Sequence, residues 1–359
     1  MQTNLPKALI ILTPGFPADE NDSTCVPPQQ VFVKALQQTH PKLKVIVLTF
    51  QYPFFAGTYL WNGIEVVAFG GKGKGKIHRQ VTWLKVLQHL RKLNKQYQIT
   101  GLLSFWLNEC ALIGGRFSKL KGIKHLCWVL GQDAKEGNKY AQRLKPKADE
   151  LIALSDFIIK EYSKNYSIRP AHIIPVGIDT MLFGKGGRER DIDILGAGSL
   201  IPLKQFDIFI KMVSLLKQSH PNVKAVICGK GPERERLLAI IKTLGLENNL
   251  KLAGELPHAE VLALMQRSKL LLHTSAYEGF GAVCLEALYA GAHVVSFVRP
   301  MDVPISNWYI ANNEDDMLQK AEALLNVTQP VYSPVLPYSI ADNAKAMMKL
   351  FDYSEAAIN

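Results

Sequence analysis

Short, wholly apolar runs recur along the chain, each followed by a longer stretch of helical period. The first runs are Ala8–Thr13, Lys44–Phe50, Val66–Phe69, Gly101–Phe105, Leu126–Leu130 and Glu150–Leu154. Pro14-Gly15-Phe16-Pro17 breaks the first of them, and a helical pattern follows over Pro28–Thr39. After residue 175 the rhythm restarts with Asp193–Gly196, Lys224–Cys228, Leu250–Ala253, Leu270–His273 and His293–Phe297. Helical patterns over Phe206–Gln218, Glu233–Leu244 and Glu260–Arg267 lie between them. Strands without polar alternation are buried on both faces, which is the condition of a parallel sheet covered by crossover helices. Two such series predict an α/β protein of two doubly wound, Rossmann-like domains, with ligands at the carboxyl ends of the strands. The joint is expected near Pro175–Phe183, giving domains 1–178 and 179–340. A last helical pattern, Ala341–Tyr353 within the terminal segment 341–359, has no strand after it and is expected to pack back on the first domain.

A chain of 359 residues accommodates two domains, and 48% hydrophobic against 20% charged residues excludes disorder. No apolar run approaches the ~20 residues of a spanning helix, and no leader pattern opens the chain. The expected location is the cytoplasm. Cys25, Cys110, Cys127, Cys228 and Cys284 are scattered, so neither a disulfide framework nor a zinc site is expected. Charge is more informative. Residues 1–175 hold 24 Lys and Arg against 11 Asp and Glu, whereas residues 176–359 hold 18 against 20. The asymmetry points to a first half that faces something anionic (nucleic acid, an acidic membrane surface or a phosphorylated substrate), the alternative being a merely soluble basic surface. No interleaved aromatic and basic motif of a nucleic-acid module is present, so nucleic acid is not the expected partner. The basic residues cluster as Lys72, Lys74, Lys76 and Arg79, then Lys85, Arg91, Lys92 and Lys95, then Arg116, Lys119, Lys121 and Lys124. Trp83, Leu84, Leu87 and Leu90 accompany the middle cluster at helical spacing, either packed on the sheet or inserted shallowly in a bilayer.

Some familiar patterns are decoys. Gly70 to Lys76 nearly spells a phosphate-binding P-loop, but Ile77 stands where a magnesium-binding hydroxyl is needed. Gly196-Ala197-Gly198 begins a dinucleotide fingerprint whose third glycine is Ile201. Asp191 and Asp193 have the spacing of a metal-binding acidic pair, yet they precede a buried strand, where acidic entry residues are common. No metal is expected.

The stretch from Ser275 to Gly291 carries the chemistry. It follows strand Leu270–His273, turns through Gly279-Phe280-Gly281, and continues as a helix over Ala282–Ala290. Glycines let backbone N–H groups approach a ligand, and a helix N-terminus adds a positive dipole, a combination suited to a diphosphate. Glu278 and Glu286 would be repelled by that group and should face neutral partners. Glu286, a turn into the helix, can accept from a ribose diol, and Glu278 can reach a sugar hydroxyl.

This segment resembles the E-x7-E signature of the GT4 family of retaining, nucleotide-sugar-dependent glycosyltransferases. The resemblance implies the GT-B architecture, two Rossmann-like domains facing a central cleft. It implies that Glu278 lies near the donor sugar, that Glu286 binds the ribose, and that the Gly279, Phe280 and Gly281 backbone holds diphosphate and sugar. Gly198-Ser199-Leu200-Ile201-Pro202-Leu203-Lys204 matches the family's G-R-L-x-x-x-K segment, implying that Lys204 neutralises the leaving diphosphate, with Ser199 in place of arginine. Val176-Gly177-Ile178-Asp179 and Phe183 are similar to the family's interdomain segment. The loop from Cys228 through Gly229 to Glu233, and Gly254-Glu255-Leu256-Pro257, are similar to the loops that frame the base. Gly15 matches the first glycine loop. In Leu130-Gly131-Gln132-Asp133 the family's histidine is absent while Asp133 remains, either as a contact to sugar or acceptor or as a helix cap; His125 is expected to be structural.

The activity implied is hexosyl transfer with retention, without metal or cofactor, from a nucleoside diphosphate sugar to a glycan or lipid-linked acceptor. A peripheral site on the cytoplasmic face of the membrane and a part in cell-surface polysaccharide synthesis complete the expectation. A sugar-nucleotide epimerase of the same architecture and a non-catalytic sugar-nucleotide binder remain the alternatives.

Overall fold

The computed structural model describes residues 5–71, 75–184 and 189–354. The chain divides into two compact units, one of residues 1–177 with 340–359, the other of residues 178–339. The first unit contains β1 (Lys7–Gly15), α1 (Pro27–Thr39), β2 (Lys44–Tyr52), β3 (Ala56–Trp61), β4 (Ile64–Phe69), α2 (Lys76–Gln96), β5 (Gln98–Phe105) and α3 (Glu109–Lys121). It continues through β6 (His125–Val129), α4 (Lys139–Leu144), β7 (Leu151–Ala153), α5 (Asp156–Tyr166) and β8 (His172–Ile173). Its sheet runs β3-β4-β2-β1-β5-β6-β7-β8, parallel except for β3. Ile10, Leu12, Ile46 and Leu48 pack on one face with Val86 and Leu90 of α2 and Ile113 and Phe117 of α3. Leu9, Ile11, Val45 and Val47 alternate with them and are equally buried.

The second unit contains β9 (Ile192–Ala197), α6 (Phe206–Ser219), β10 (Ala225–Cys228), α7 (Arg234–Thr243), β11 (Leu250–Gly254) and α8 (His258–Arg267). Then come β12 (Ser268–His273), α9 (Ala282–Tyr289), β13 (His293–Ser296), β14 (Trp308–Ile310) and α10 (Glu314–Leu325). Its sheet is wholly parallel, in the order β11-β10-β9-β12-β13-β14. Numbered within the unit, that order is 3-2-1-4-5-6, the doubly wound arrangement that opens a crevice where strand order reverses. The reversal lies between β9 and β12. Ile194, Ile227, Leu270 and Leu272 join Phe209, Val213, Leu237 and Met317 in one core.

The last helix, α11 (Ile340–Leu350), belongs to the first unit. Asn343 Nδ2 donates to the Pro175 carbonyl at 2.8 Å, Lys124 pairs with Asp352 at 2.9 Å, and Phe351 fills the space a Cβ on Gly101 would need. The helix is shorter than the sequence pattern, and residues 355–359 lie outside the described residues.

Other differences have local causes. β3 has no sequence counterpart because it is an edge strand with Leu60 exposed; it joins β4 through Asn62-Gly63, both at positive φ, the geometry of a type I′ hairpin. β14 is too short to stand out, and α10 is set by its cap, Asn313, which accepts from the Asp316 amide. Leu90, grouped in the sequence with Trp83, Leu84 and Leu87 as a face for bilayer or sheet, is fully buried, and Trp83 and Leu87 pack against the same core. Only Leu84 of the four faces outward. Lys72 and Lys74 lie outside the described residues, as does the side chain of Lys76. Among the described residues no helix is long and apolar enough to cross a membrane.

Candidate active site

The loops leaving β9 and β12 meet at the reversal of strand order, and two hydrogen bonds lock them together. Thr274 Oγ1 donates to the Lys204 carbonyl at 2.8 Å, and the Ala276 amide donates to the Leu203 carbonyl at 3.0 Å. Lys204 Nζ, so placed, forms an ion pair with Glu278 Oε1. The expectation of a neutral partner for Glu278 is corrected here. Its carboxylate faces the Lys204 ammonium, and His273 Nε2 lies 3.3 Å from the same oxygen. Burial alone would push the Glu278 carboxyl up. The His273 contact and the Lys204 charge outweigh it and hold the carboxyl at about 2.

Glu278 leads into the glycine turn. Gly281 is the N-cap of α9 at φ +91°, a left-handed position that favours glycine, and it aims the helix N-terminus out of the turn. Phe280, expected at the donor, has its side chain in the core, 1% exposed and packed edge-on against Tyr338 with Trp308 beside it. Its backbone alone is left to face a ligand. Glu286 also has a partner: His258 Nε2, at the start of α8, lies 2.8 Å from Glu286 Oε1. Burial opposes the histidine's charge, but the bond and charge of Glu286 prevail and raise its pKa.

The loops after β9 and β10 stack on one another. The Gly198 amide donates to the Cys228 carbonyl at 3.0 Å, and a Cβ on Gly229 would run into the Gly198 carbonyl. Ser199 is exposed at the lip of this stack. The Gly229 amide donates in turn to the Gly254 carbonyl at 2.7 Å, so the loops after β9, β10 and β11 are linked in series.

In the first unit, Gly15 has room for a Cβ, so local packing does not require glycine there. Asp133 is committed to backbone on both oxygens. Oδ2 accepts from the Leu107 amide at 2.7 Å; Oδ1 accepts from Gly131 at 2.8 Å and Leu130 at 3.1 Å. Burial raises its carboxyl to about 6, against the lowering effect of those amides. Of the two sequence readings, the geometry carries the structural one: Asp133 clamps the loop after β6 to the loop after β5. Asp133→Ala is expected to strand these buried N–H groups at about 1–3 kcal/mol each. Calorimetry should show a melting temperature lower by roughly 6 °C or more; an unchanged value would return Asp133 to the list of free carboxylates. His125 is buried against Ser104 Oγ at 2.9 Å, and burial lowers it to about 4.

Asp191 pairs with Arg267, and Asp193 with Lys269 at 2.8 Å, at the amino end of β9, away from the carboxyl-end loops. Among the described residues no group of three or more His, Cys, Asp or Glu side chains is placed to hold a metal ion. Sequence reasoning assigned no functional role to His258 or His273. The signal for His273 was its place at the end of the strand leading into the glutamate turn; for His258 it was its place directly after the base-framing turn.

Residues 179–304 match the family model of glycosyl transferases group 1. The chain is 24% identical over 232 residues to a phosphatidylinositol N-acetylglucosaminyltransferase polypeptide of Arabidopsis thaliana, covering 61% of this chain and 50% of the relative. It is 29% identical over 222 residues to the N-acetylgalactosamine-N,N'-diacetylbacillosaminyl-diphospho-undecaprenol 4-alpha-N-acetylgalactosaminyltransferase of Campylobacter jejuni, covering 58% of each. The chain thus spans about half the length of the curated relatives it matches. Among solved structures, Anabaena HepE in complex with UDP-glucose superposes with a TM-score of 0.68 at 18% identity, over 96% of this chain and 97% of that one. The chain has the GT-B fold of these solved structures, and over residues 179–304 it is similar to the glycosyl transferases group 1.

Proposed function

We propose that this protein is a nucleotide-sugar-dependent glycosyltransferase that moves a hexosyl group to a hydroxyl of a glycan or lipid-linked acceptor. The observation that carries this reading is the grouping of Lys204, Glu278 and the N-terminus of α9 at the strand-order reversal, with Glu286 one turn along the helix. In this reading residues 178–339 bind the donor. The Gly279–Gly281 backbone, Gly229 and Ser199 line the diphosphate and base region, and Glu286 takes the ribose. Glu278 faces the transferred sugar. Lys204 and the helix N-terminus stabilise charge developing on the leaving diphosphate. Gly15 and the loop held by Asp133 belong to the acceptor-binding unit. Transfer proceeds with retention, the leaving phosphate helping to deprotonate the acceptor.

A thermal-shift series with UDP, GDP, ADP and their sugars tests donor binding, since a ligand at 100 times its Kd adds about 2.7 kcal/mol. NMR of the product then reads the anomeric configuration. An altered nucleotide sugar released without acceptor would establish the epimerase reading instead, and binding without turnover the non-catalytic one. Activity is expected to survive EDTA; loss restored by manganese or magnesium would reject metal independence.

The acceptor reading is lipid-linked, in cell-surface polysaccharide synthesis, at the cytoplasmic face of a membrane. It is supported by the lipid-linked substrate in the name of the Campylobacter relative and by the surface of α2. That helix has no acidic residue and two apolar faces. One packs on the sheet; the other presents Ile77, Val81 and Leu84 to solvent, with Ile77 76% exposed, beside the exposed Lys85, Arg91, Lys92 and Lys95. An outward apolar ridge flanked by bases fits an anionic bilayer, each base near the surface contributing about 1 kcal/mol. Co-sedimentation with phosphatidylserine vesicles should fall as salt rises and fall again in Ile77→Ser/Leu84→Ser. Equal, negligible binding to neutral and anionic vesicles at low salt would leave a soluble acceptor.

A further inference from the structure

The structure assigns His258 a positioning role in donor recognition: it fixes the Glu286 carboxylate in the orientation that receives the donor's ribose. This inference rests on the ribose reading of Glu286 proposed above. The geometry is specific. His258 opens α8 immediately after Pro257, at the end of the loop that leaves β11. Glu286 lies on α9, and the two side chains meet at 2.8 Å with only 19% and 17% of their surfaces exposed. The charge of Glu286 also reaches Cys228, at the carboxyl end of β10, where it adds to burial in raising the thiol. Glu286 therefore stands where α9 and the loops after β10 and β11 converge.

A glutamate on a helix has three side-chain torsions, and ordering it for a ligand costs rotamer freedom. An N–H held on one carboxylate oxygen removes much of that freedom before the ligand arrives. The chemistry leaves room for the ribose. Each carboxylate oxygen has two lone pairs, so the imidazole on Oε1 leaves the carboxylate further capacity to accept, on Oε2 and on the second lone pair of Oε1. A vicinal diol needs two such acceptors. His258 also connects the Gly254–Pro257 turn, read as framing the base, to the carboxylate that takes the sugar of the same nucleoside. Base and ribose recognition are thereby set by one rigid contact.

Full-length wild type, His258→Ala, His258→Gln, His258→Asn and Glu286→Ala would be titrated calorimetrically with UDP, GDP and ADP. The tightest would be repeated as its 2′,3′-dideoxy analogue, with thermal melts confirming folding. His258→Ala should weaken the nucleoside diphosphate about 10-fold. His258→Gln, whose amide nitrogen reaches the place of Nε2, should recover most of that loss; His258→Asn, one bond shorter, should not. The loss should vanish with the dideoxy analogue. Wild-type affinity in His258→Ala alongside weakened Glu286→Ala would overturn the positioning role and leave the ribose reading intact. A His258→Ala loss that persists with the dideoxy analogue would overturn it in favour of a general structural role. Unchanged affinity in Glu286→Ala would overturn the ribose reading itself, and the inference with it.

Discussion

Replacing Lys204 with alanine is expected to lower kcat by about 100-fold or more, as removal of a preorganised donor to a developing anion does. Lys204 is not a free cation waiting for a phosphate. Its Nζ is already paired with Glu278, and both side chains are less than one-fifth exposed. A diphosphate arriving at the α9 N-terminus must share that ammonium with a carboxylate. The interaction therefore strengthens when charge on the leaving oxygen grows, which is the condition for an effect on kcat over KM. The substitution also leaves the Glu278 carboxylate without its ammonium partner, beside His273 Nε2 at 3.3 Å. Glu278 titrates near 2 in the folded protein against an ordinary 4.5. Its pairing therefore stabilises the fold fully above about 4.5, and that contribution is lost as pH falls through 2. Lys204→Ala gives up part of it at neutral pH, so melting curves must accompany the kinetics. Steady-state rates over a donor concentration series decide the matter. A rise in KM with kcat intact would make Lys204 a ground-state anchor only.

Much of this site was legible in the sequence because its parts are local. Gly279-Phe280-Gly281 between an apolar strand and a helical pattern reads as a strand-to-helix turn, and a glutamate five residues beyond the N-cap lies one turn along the helix. The alternation of apolar runs with helical patterns likewise exposed both parallel sheets, since burial on both faces leaves no polar period to confuse them. What the sequence hid is tertiary. His258 and Glu286 are 28 residues apart, on different helices, and only the packing of α8 against α9 brings them together. The Lys204–Glu278 pair spans 74 residues and depends on the adjacency of β9 and β12. Phe280 was read only for its backbone at the donor, and the turn points its ring at Trp308 and Tyr338. β3 escaped for the opposite reason. An edge strand with one solvated face has no apolar run to betray it, although Asn62-Gly63 marked its turn.

Glu286→Ala should weaken nucleoside diphosphate binding by about 10- to 1,000-fold, within what losing one or two charge-assisted bonds of roughly 1.5–3 kcal/mol each would give. Glu286→Gln keeps the shape and one acceptor but loses the charge assistance, so it should fall between wild type and alanine. Both variants must be separated from a folding defect, because Glu286 is also the partner of His258. That pair raises the histidine above its ordinary value near 6.5. Its contribution to stability is therefore complete below about 6.5 and fades as pH rises through the raised value. Any stability lost by removing Glu286 should accordingly be larger at about pH 6 than at about pH 9, whereas the proposed ribose bonds would be made to neutral hydroxyls and carry no such dependence. A binding loss that persists at about pH 9, where the variants melt closest to wild type, belongs to the ribose. An unchanged Kd there would reduce Glu286 to a structural partner of His258 and move recognition of the donor to the glycine turn alone.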